Sequence, residues 1–333
     1  HKKDSKMNHF SVIEGPLNDE YTTLVDQLCS LAETYFYAGR LPDAVHVLKR
    51  GAQILHENPD AHTVDQVRLL IQYGRLLNWT SLMQSNHLDE SAVVLKQAYH
   101  LAQSIDDEHT RETQQAYAKL YQGNLLDFRK MLLNKGDWTD SLERLQEAQA
   151  VFVRTNDLRG QGTGSFFIGL VHQRLQQKEE ALAHFTTALN LAEQTGDKFE
   201  ESEVVRHLGF FAFMDGRIDE AYDHAQRSLS LREDINCQVA LSSAHHVVGM
   251  AQEARDDLPA ALTSYEQARV IAQRLTLKVP LIQALLGLAG VYQQQARMTE
   301  AMTCARQAHR VAKETGYPVF MQAAANKLSE VAG

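Results

Sequence analysis

Three groups of residues have the types and spacing that chemistry would need. Gly160, Gly162 and Gly164 in LRGQGTGSFF alternate like a phosphate-cradling loop, whose backbone N–H groups would ring an anion. Such a loop follows a strand, and no strand precedes these glycines. The plainer expectation is a flexible start to a helix. His245-His246, with His207, supply imidazoles of the kind that bind metals. Adjacent histidines point to different sides of a helix, and no Glu-x-x-His or His-x-x-x-His pair accompanies them. Structural histidines, and no metal, are expected. Cys29, Cys237 and Cys304 are odd in number and far apart, which fits neither a disulfide framework nor a zinc site. Reduced thiols in a cytoplasmic protein are expected. No nucleophile stands beside a base, so neither catalysis nor a cofactor is expected, although residues brought together across the fold escape this reading.

The elements that would position any site repeat. Gly169, Gly209 and Gly249 are 40 residues apart, and Ala289-Gly290 stands where the next anchor is due. Twelve residues after each anchor comes Ala181, Ala221, Ala261 or Ala301; seven further on comes Ala188, Ser228, Ala268 or Ala308. A constant interval of that length means stacked supersecondary units. Ala181, Leu182, Phe185, Ala188, Leu189 and Ala192 form one apolar stripe at helical period, and no period-2 alternation occurs, so the chain is all-α. The small residues let two helix backbones cross closely.

Seven helix-turn-helix units are expected, at about 21–58, 62–105, 108–156, 158–196, 198–236, 238–276 and 280–316, with a capping helix at 318–331. In the second and third units Gly74 to Ser91 and Gly123 to Ser141 are 17 and 18 apart rather than 12, so their hairpins should protrude by about one and a half turns. Residues 1–20 read as a tail containing Gly15, Pro16 and Asn18-Asp19. Residues 1–6 read as foreign to the natural chain, with Met7 its start. Asn58-Pro59-Asp60 should stop the second helix. A surplus of 42 Asp+Glu over 33 Lys+Arg, with no basic block, argues against direct nucleic-acid binding. No run approaches membrane-spanning length.

The order of small and aromatic residues resembles the tetratricopeptide repeat (TPR). Leu31-Ala32, Tyr35, Gly39, Ala44, Leu48 and Gly51 carry it in the first unit, and Ala289, Tyr292, Ala301 and Ala308 in the seventh. The usual unit has 34 residues. A 40-residue version, with joints such as Glu193-Gln194-Thr195-Gly196-Asp197 and Lys313-Glu314-Thr315-Gly316, is similar to the arrays of MalT-type bacterial regulators. The resemblance covers about residues 21–316. It implies a right-handed superhelix whose first helix of each pair lines a concave, ligand-carrying side.

On that face the sequence places Phe166, Leu170 and Arg174; Arg206, Phe210, Phe213 and Met214; and His246, Met250 and Glu253. Thr163, Gln173, Glu203, Ser243, Gln283, Leu286 and Gln294 share it. Glu33, Phe36 and Tyr37 extend it toward the N-terminus, followed by Arg75, Asn78, Trp79, Asn124, Asp127 and Phe128. An apolar strip with a charged rim suits the side chains and backbone of a peptide. Each apolar member taken singly reads more simply as packing between repeats. The Lys and Asn that clamp a chaperone's C-terminal carboxylate in some arrays of this family are missing; their positions read Cys29/Glu33, Phe166/Leu170 and His246/Met250. The expected function is a non-enzymatic sensor or adaptor holding a peptide or protein segment in its groove. Its alternatives are a ligand-sensing or oligomerisation module of a larger regulator, with homo-oligomers open, and a scaffold binding partners on its outer helices.

Overall fold

A helix with one apolar stripe must lie against another, and here the stripes recur so regularly that each helix finds its neighbour in sequence. The computed structural model describes residues 17–58, 61–84 and 87–333. Among these residues it contains fifteen helices and no strand. The inner helices are α1 (Leu17–Tyr37), α3 (Thr63–Met83), α5 (Glu108–Leu133), α7 (Leu158–Arg174), α9 (Lys198–Met214), α11 (Gln238–Ala254) and α13 (Lys278–Gln294). Their outer partners are α2 (Leu41–Glu57), α4 (Leu88–Ala102), α6 (Trp138–Arg154), α8 (Lys178–Thr195), α10 (Ile218–Asp234), α12 (Leu258–Arg274) and α14 (Met298–Thr315), and α15 (Pro318–Ala332) follows. The first helix begins at Leu17, earlier than the sequence suggested, with Asp19 and Glu20 in a first turn where negative charge is favoured. Residues 1–16, with Met7, Gly15 and Pro16, lie outside the described residues, as do Pro59 and Asp60.

The 40-residue anchors are crossing points. A Cβ on Gly169 would stand 2.7 Å from the Phe185 ring, and one on Gly249 2.8 Å from the Tyr265 ring. Ala181, Ala221, Ala261 and Ala301 are all buried opposite. A second regularity is finer. Backbone φ is positive at Asn156, Gln176, Gly196, Gly216, Asn236, Asp256, Thr276, Ala296 and Gly316, every twenty residues, where each helix turns into the next. The period is therefore one helix plus its turn, doubled.

The longer spacing in units two and three falls inside the inner helices. After its anchor glycine α3 runs from Gly74 to Met83 and α5 from Gly123 to Leu133, against Gly169 to Arg174 in α7. These extensions were expected to protrude; instead they are covered. Leu125, Phe128 and Leu132 form a second core with Leu88, Val279 and Tyr317, the last two from the far end of the chain. The Tyr317 hydroxyl donates to the Ser81 carbonyl at 2.7 Å. Their apolar side chains would otherwise face water, and α13 and α15 supply the cover. A buried polar ladder fixes α3 against α4 and α5: the Ser91 hydroxyl donates to Asn78 Oδ1 at 2.6 Å, and Asn78 Nδ2 donates to Asn124 Oδ1 at 3.0 Å.

The N-terminal end also reaches across. A Cβ on Gly39 would stand 2.6 Å from the Leu275 side chain, and Tyr37 stacks on Phe199 with ring centroids 6.0 Å apart. The solenoid thus touches itself across its concave side.

Candidate functional site

That self-contact borders a half-open cavity of about 540 Å³, within the usual range for small ligands. Leu48 apart, its walls come from the inner helices α1, α3, α5, α7 and α9 and the Asp197 cap of the last. Phe36, Trp79, Tyr121, Phe166 and Phe199 make the apolar part. Phe199 meets Phe36 edge-on at 5.9 Å and Trp79 at 5.5 Å, so three distant stretches of chain share one aromatic cluster.

The polar wall is built around helix starts. Asp197 caps α9, accepting the Glu200 N–H at 3.0 Å. The Thr163 hydroxyl donates to Glu200 Oε2 at 2.6 Å, and a Cβ on Gly162 would come within 2.9 Å of the other oxygen. The glycines of LRGQGTGSFF are therefore close-approach positions of a helix and not a loop. Burial pushes the Glu200 carboxyl up to about 8, despite Thr163 and the Arg75 and Arg159 charges, because an ion there would lose its water.

Glu203 is held the other way. Burial alone would raise it, but Arg206 and Arg232 keep it below the usual carboxylate range. Arg232 is fully buried and is satisfied by Glu203, the Ala240 carbonyl (3.0 Å), Ser202 Oγ (3.2 Å) and Ser243 Oγ (3.0 Å). Arg206 bonds Glu203 at 2.7 Å and lies 2.9 Å from His207 Nε2, whose Nδ1 is 2.8 Å from Gln173 Oε1. Burial and the neighbouring arginines hold His207 far below its ordinary value, so it is a neutral link in a structural chain. His246 packs against the Tyr265 ring at 5.4 Å, and burial pushes it down to about 4. Among the described residues no three His, Cys, Asp or Glu are grouped to hold a metal, and Cys29, Cys237 and Cys304 are unpaired.

Of the residues the sequence singled out, Phe36, Trp79 and Phe166 line the cavity, with Glu33, Arg75, Thr163 and Glu203. Tyr37 stacks beside it. Phe128 and Leu170 are buried packing residues, and Arg174 reaches across to Asp127 at 3.5 Å. Asn78 and Asn124 belong to the ladder. Further along, Arg206 and His246 sit in the contacts above, Met250 packs on the Ala261–Tyr265 cluster, and Glu253 accepts from the Tyr265 hydroxyl at 2.8 Å and from Gln294 at 2.5 Å. Phe213 is half-buried, while Phe210 and Met214 are 42% and 65% exposed and outside the cavity. The anticipated row thus divides into an enclosed part near the N-terminal units and an open remainder.

The sequence reading missed Tyr117, Tyr121, Arg159, Asp197, Phe199 and Glu200. A signal existed. Arg159 and Phe199 hold equivalent positions 40 residues apart, just N-terminal to the stretch of inner helix chosen for the groove.

Comparison with known proteins agrees with this architecture. A family model described as Tetratricopeptide repeat matches residues 165–195, which span the α7–α8 crossing. The fold is an all-α solenoid of the tetratricopeptide-repeat kind, and residues 165–195 match one such repeat. A Rap protein complexed with Competence and Sporulation Factor matches with a TM-score of 0.66 at 12% identity, over 93% of this chain and 85% of that one. Aspartyl phosphate phosphatase F from Bacillus subtilis matches at 0.56 and 11%, over 93% and 79%. A signal transduction ATPase with numerous domains and a tetratricopeptide repeat sensor, from Pyrococcus horikoshii, matches at 0.55 and 15%, over 94% of this chain but 46% of that one. At these identities the likeness is one of fold. No curated protein matches the sequence. No helix of the solenoid's described residues is long and apolar enough to cross a membrane.

Proposed function

We propose that this solenoid is a non-enzymatic cytoplasmic sensor or adaptor that encloses a short peptide, or the end of a partner segment, in its central cavity. The observation that carries the reading is the cavity itself: an aromatic wall and polar groups on five successive inner helices, half-open and bordered by contacts between distant repeats. Buried aromatic anchors supply affinity and satisfied polar groups supply orientation. Asp197, Glu200 and Glu203 are tied into a helix cap, a hydrogen bond and ion pairs, and burial pushes the Cys29 thiol at the wall up to about 11, away from a nucleophilic thiolate, which supports binding over catalysis. The similar Rap protein was solved with a factor bound, which favours a ligand-holding role. The open residues Phe210 and Met214 would then meet a second, larger partner.

The test is native mass spectrometry of the protein with a pool of tri- to hexapeptides. Retained peptides should disappear with Gln114→Trp, which fills the cavity, and should quench Trp79 fluorescence. Binding that survives Gln114→Trp would move the site elsewhere. A second reading is favoured by the Pyrococcus likeness, in which the matching segment is less than half of a longer protein. There the solenoid would be the sensing part of a larger regulator.

A further inference from the structure

Two cavity-lining arginines are uncommitted. Arg75, from α3, donates one hydrogen bond, to Gln72 Oε1 at 3.2 Å, and among the described residues no carboxylate lies within ion-pair distance of it. Arg159, from the first turn of α7, makes neither a hydrogen bond nor an ion pair among the described residues. The other arginines of these inner helices near the site are spoken for: Arg68 by Asp26 and Asp65, Arg174 by Asp127, Arg206 by Glu203. Arg75 is half-buried and has given up part of its hydration for one neutral hydrogen-bond partner, with Glu33 and Asp197 acting on its charge only from beyond ion-pair distance. An anion in the cavity would gain a charge-assisted bond there; exposed Arg159 keeps its water until such an anion arrives.

Among the described residues none of the lining carboxyls pairs directly with either arginine, although Glu33 and Asp197 favour the Arg75 charge from further off. Glu203 is shared by Arg206 and Arg232, Asp197 is a helix cap, and Glu200 is bonded to Thr163. Glu33 stands exposed at the rim. These same carboxyls set the charge of the missing anion. With Glu33, Asp197 and Glu203 around the cavity, a doubly charged phosphate would meet repulsion that a single carboxylate largely avoids. The aromatic cluster beside Arg75 fixes the neighbouring chemistry: Phe36, Trp79 and Phe199 offer ring faces and edges to an apolar group.

Resting on the reading that the cavity binds a short ligand, we infer that its occupant carries one free carboxylate next to an aromatic or branched apolar group, and that Arg75 and Arg159 grip that carboxylate. In a peptide this is an apolar C-terminal residue with its free end. The grip is charge-assisted and, with Arg75's planar fork, suited to two parallel N–H···O bonds.

The experiment compares a pool of aromatic-ended tri- to hexapeptides as free acids with the same pool amidated, together with indole-3-acetate and phenylpropionate as peptide-free carboxylates. Binding is read by native mass spectrometry and Trp79 quenching on the whole chain. Free acids should bind about tenfold or more tighter than amides, and Arg75→Gln and Arg159→Gln should each remove most of that preference. Arg159 is exposed, so its variant keeps the test readable should Arg75→Gln unfold. Peptides that bind equally as acids and amides would overturn the carboxylate grip and leave peptide binding standing. Aromatic carboxylates that bind in an arginine-dependent way, with no peptide retained, would uphold the grip and overturn the peptide reading. Failure of every probe overturns both.

Discussion

At the scale of single residues the most consequential group is Glu200. Its carboxyl is pushed from its ordinary 4.5 up to about 8 by burial. The folded chain therefore holds a proton that the unfolded chain gives up between those values, and stability falls as pH rises through that window. Glu200→Gln keeps an acceptor for the Thr163 hydroxyl and cannot ionise. The variant should match the parent near pH 4.5 and exceed it by roughly 1–3 kcal/mol at pH 8 in urea unfolding. A constant difference across pH would mean that Glu200 is solvated in the fold. Little of this was legible beforehand. Phe166 and Trp79 could be named because apolar stripes are local. The states of Glu200 and Glu203, three residues apart on one helix, are opposite because Arg206 and Arg232, the latter from a neighbouring outer helix, reach only the second.

At the scale of elements the repeat explains most of the fold, and its exceptions are informative. The joints at Asn156, Gly196, Asn236 and Gly316 hold residues that tolerate positive φ, whereas the equivalent joint holds Thr276 at φ 55°. A β-branched residue is strained there. Thr276 is exposed, so Thr276→Asn should relieve strain without touching the core, raising stability by about 0.5–1.5 kcal/mol in chemical denaturation. At the crossings the opposite holds. Ala261 is fully buried beside the Gly249 anchor, and Ala261→Leu should cost about 1–3 kcal/mol through overpacking, seen as a lower denaturation midpoint at unchanged slope. Crossings and turns could be read from sequence because each is decided within one or two helices. The extensions of α3 and α5 were visible as 17- and 18-residue gaps, but their fate was not. Leu125, Phe128 and Leu132 look like any surplus apolar turn until Val279 and Tyr317 arrive from the other end of the chain.

At the scale of the whole molecule the cavity exists because the superhelix closes on itself. The Tyr317 hydroxyl meets Ser81 across a sequence separation of 236, and Phe199 joins the aromatic cluster of Phe36, Tyr37 and Trp79. Nearest-neighbour stacking alone sets only the rise and turn of one rung on the next. Whether distant rungs meet depends on small rotations summed over many joints, which no spacing pattern encodes. The closing contacts can be loosened separately from the stacking. Phe199 sits in the first turn of α9, so Phe199→Ala removes a ring from the closure while leaving the α9–α10 crossing at Gly209 intact. If the aromatic cluster holds the ring shut, this variant should keep its helical circular dichroism, show a larger radius of gyration in X-ray scattering, and shift Trp79 emission to the red as water enters. It should also lose about 3–5 kcal/mol of stability. Tyr317→Phe, which removes only the hydroxyl at the other closing contact, should cost less and leave Trp79 emission unchanged. A destabilised Phe199→Ala protein of unaltered radius would show that the stacked repeats alone dictate the curvature, and that the aromatic cluster lines the chamber without shutting it.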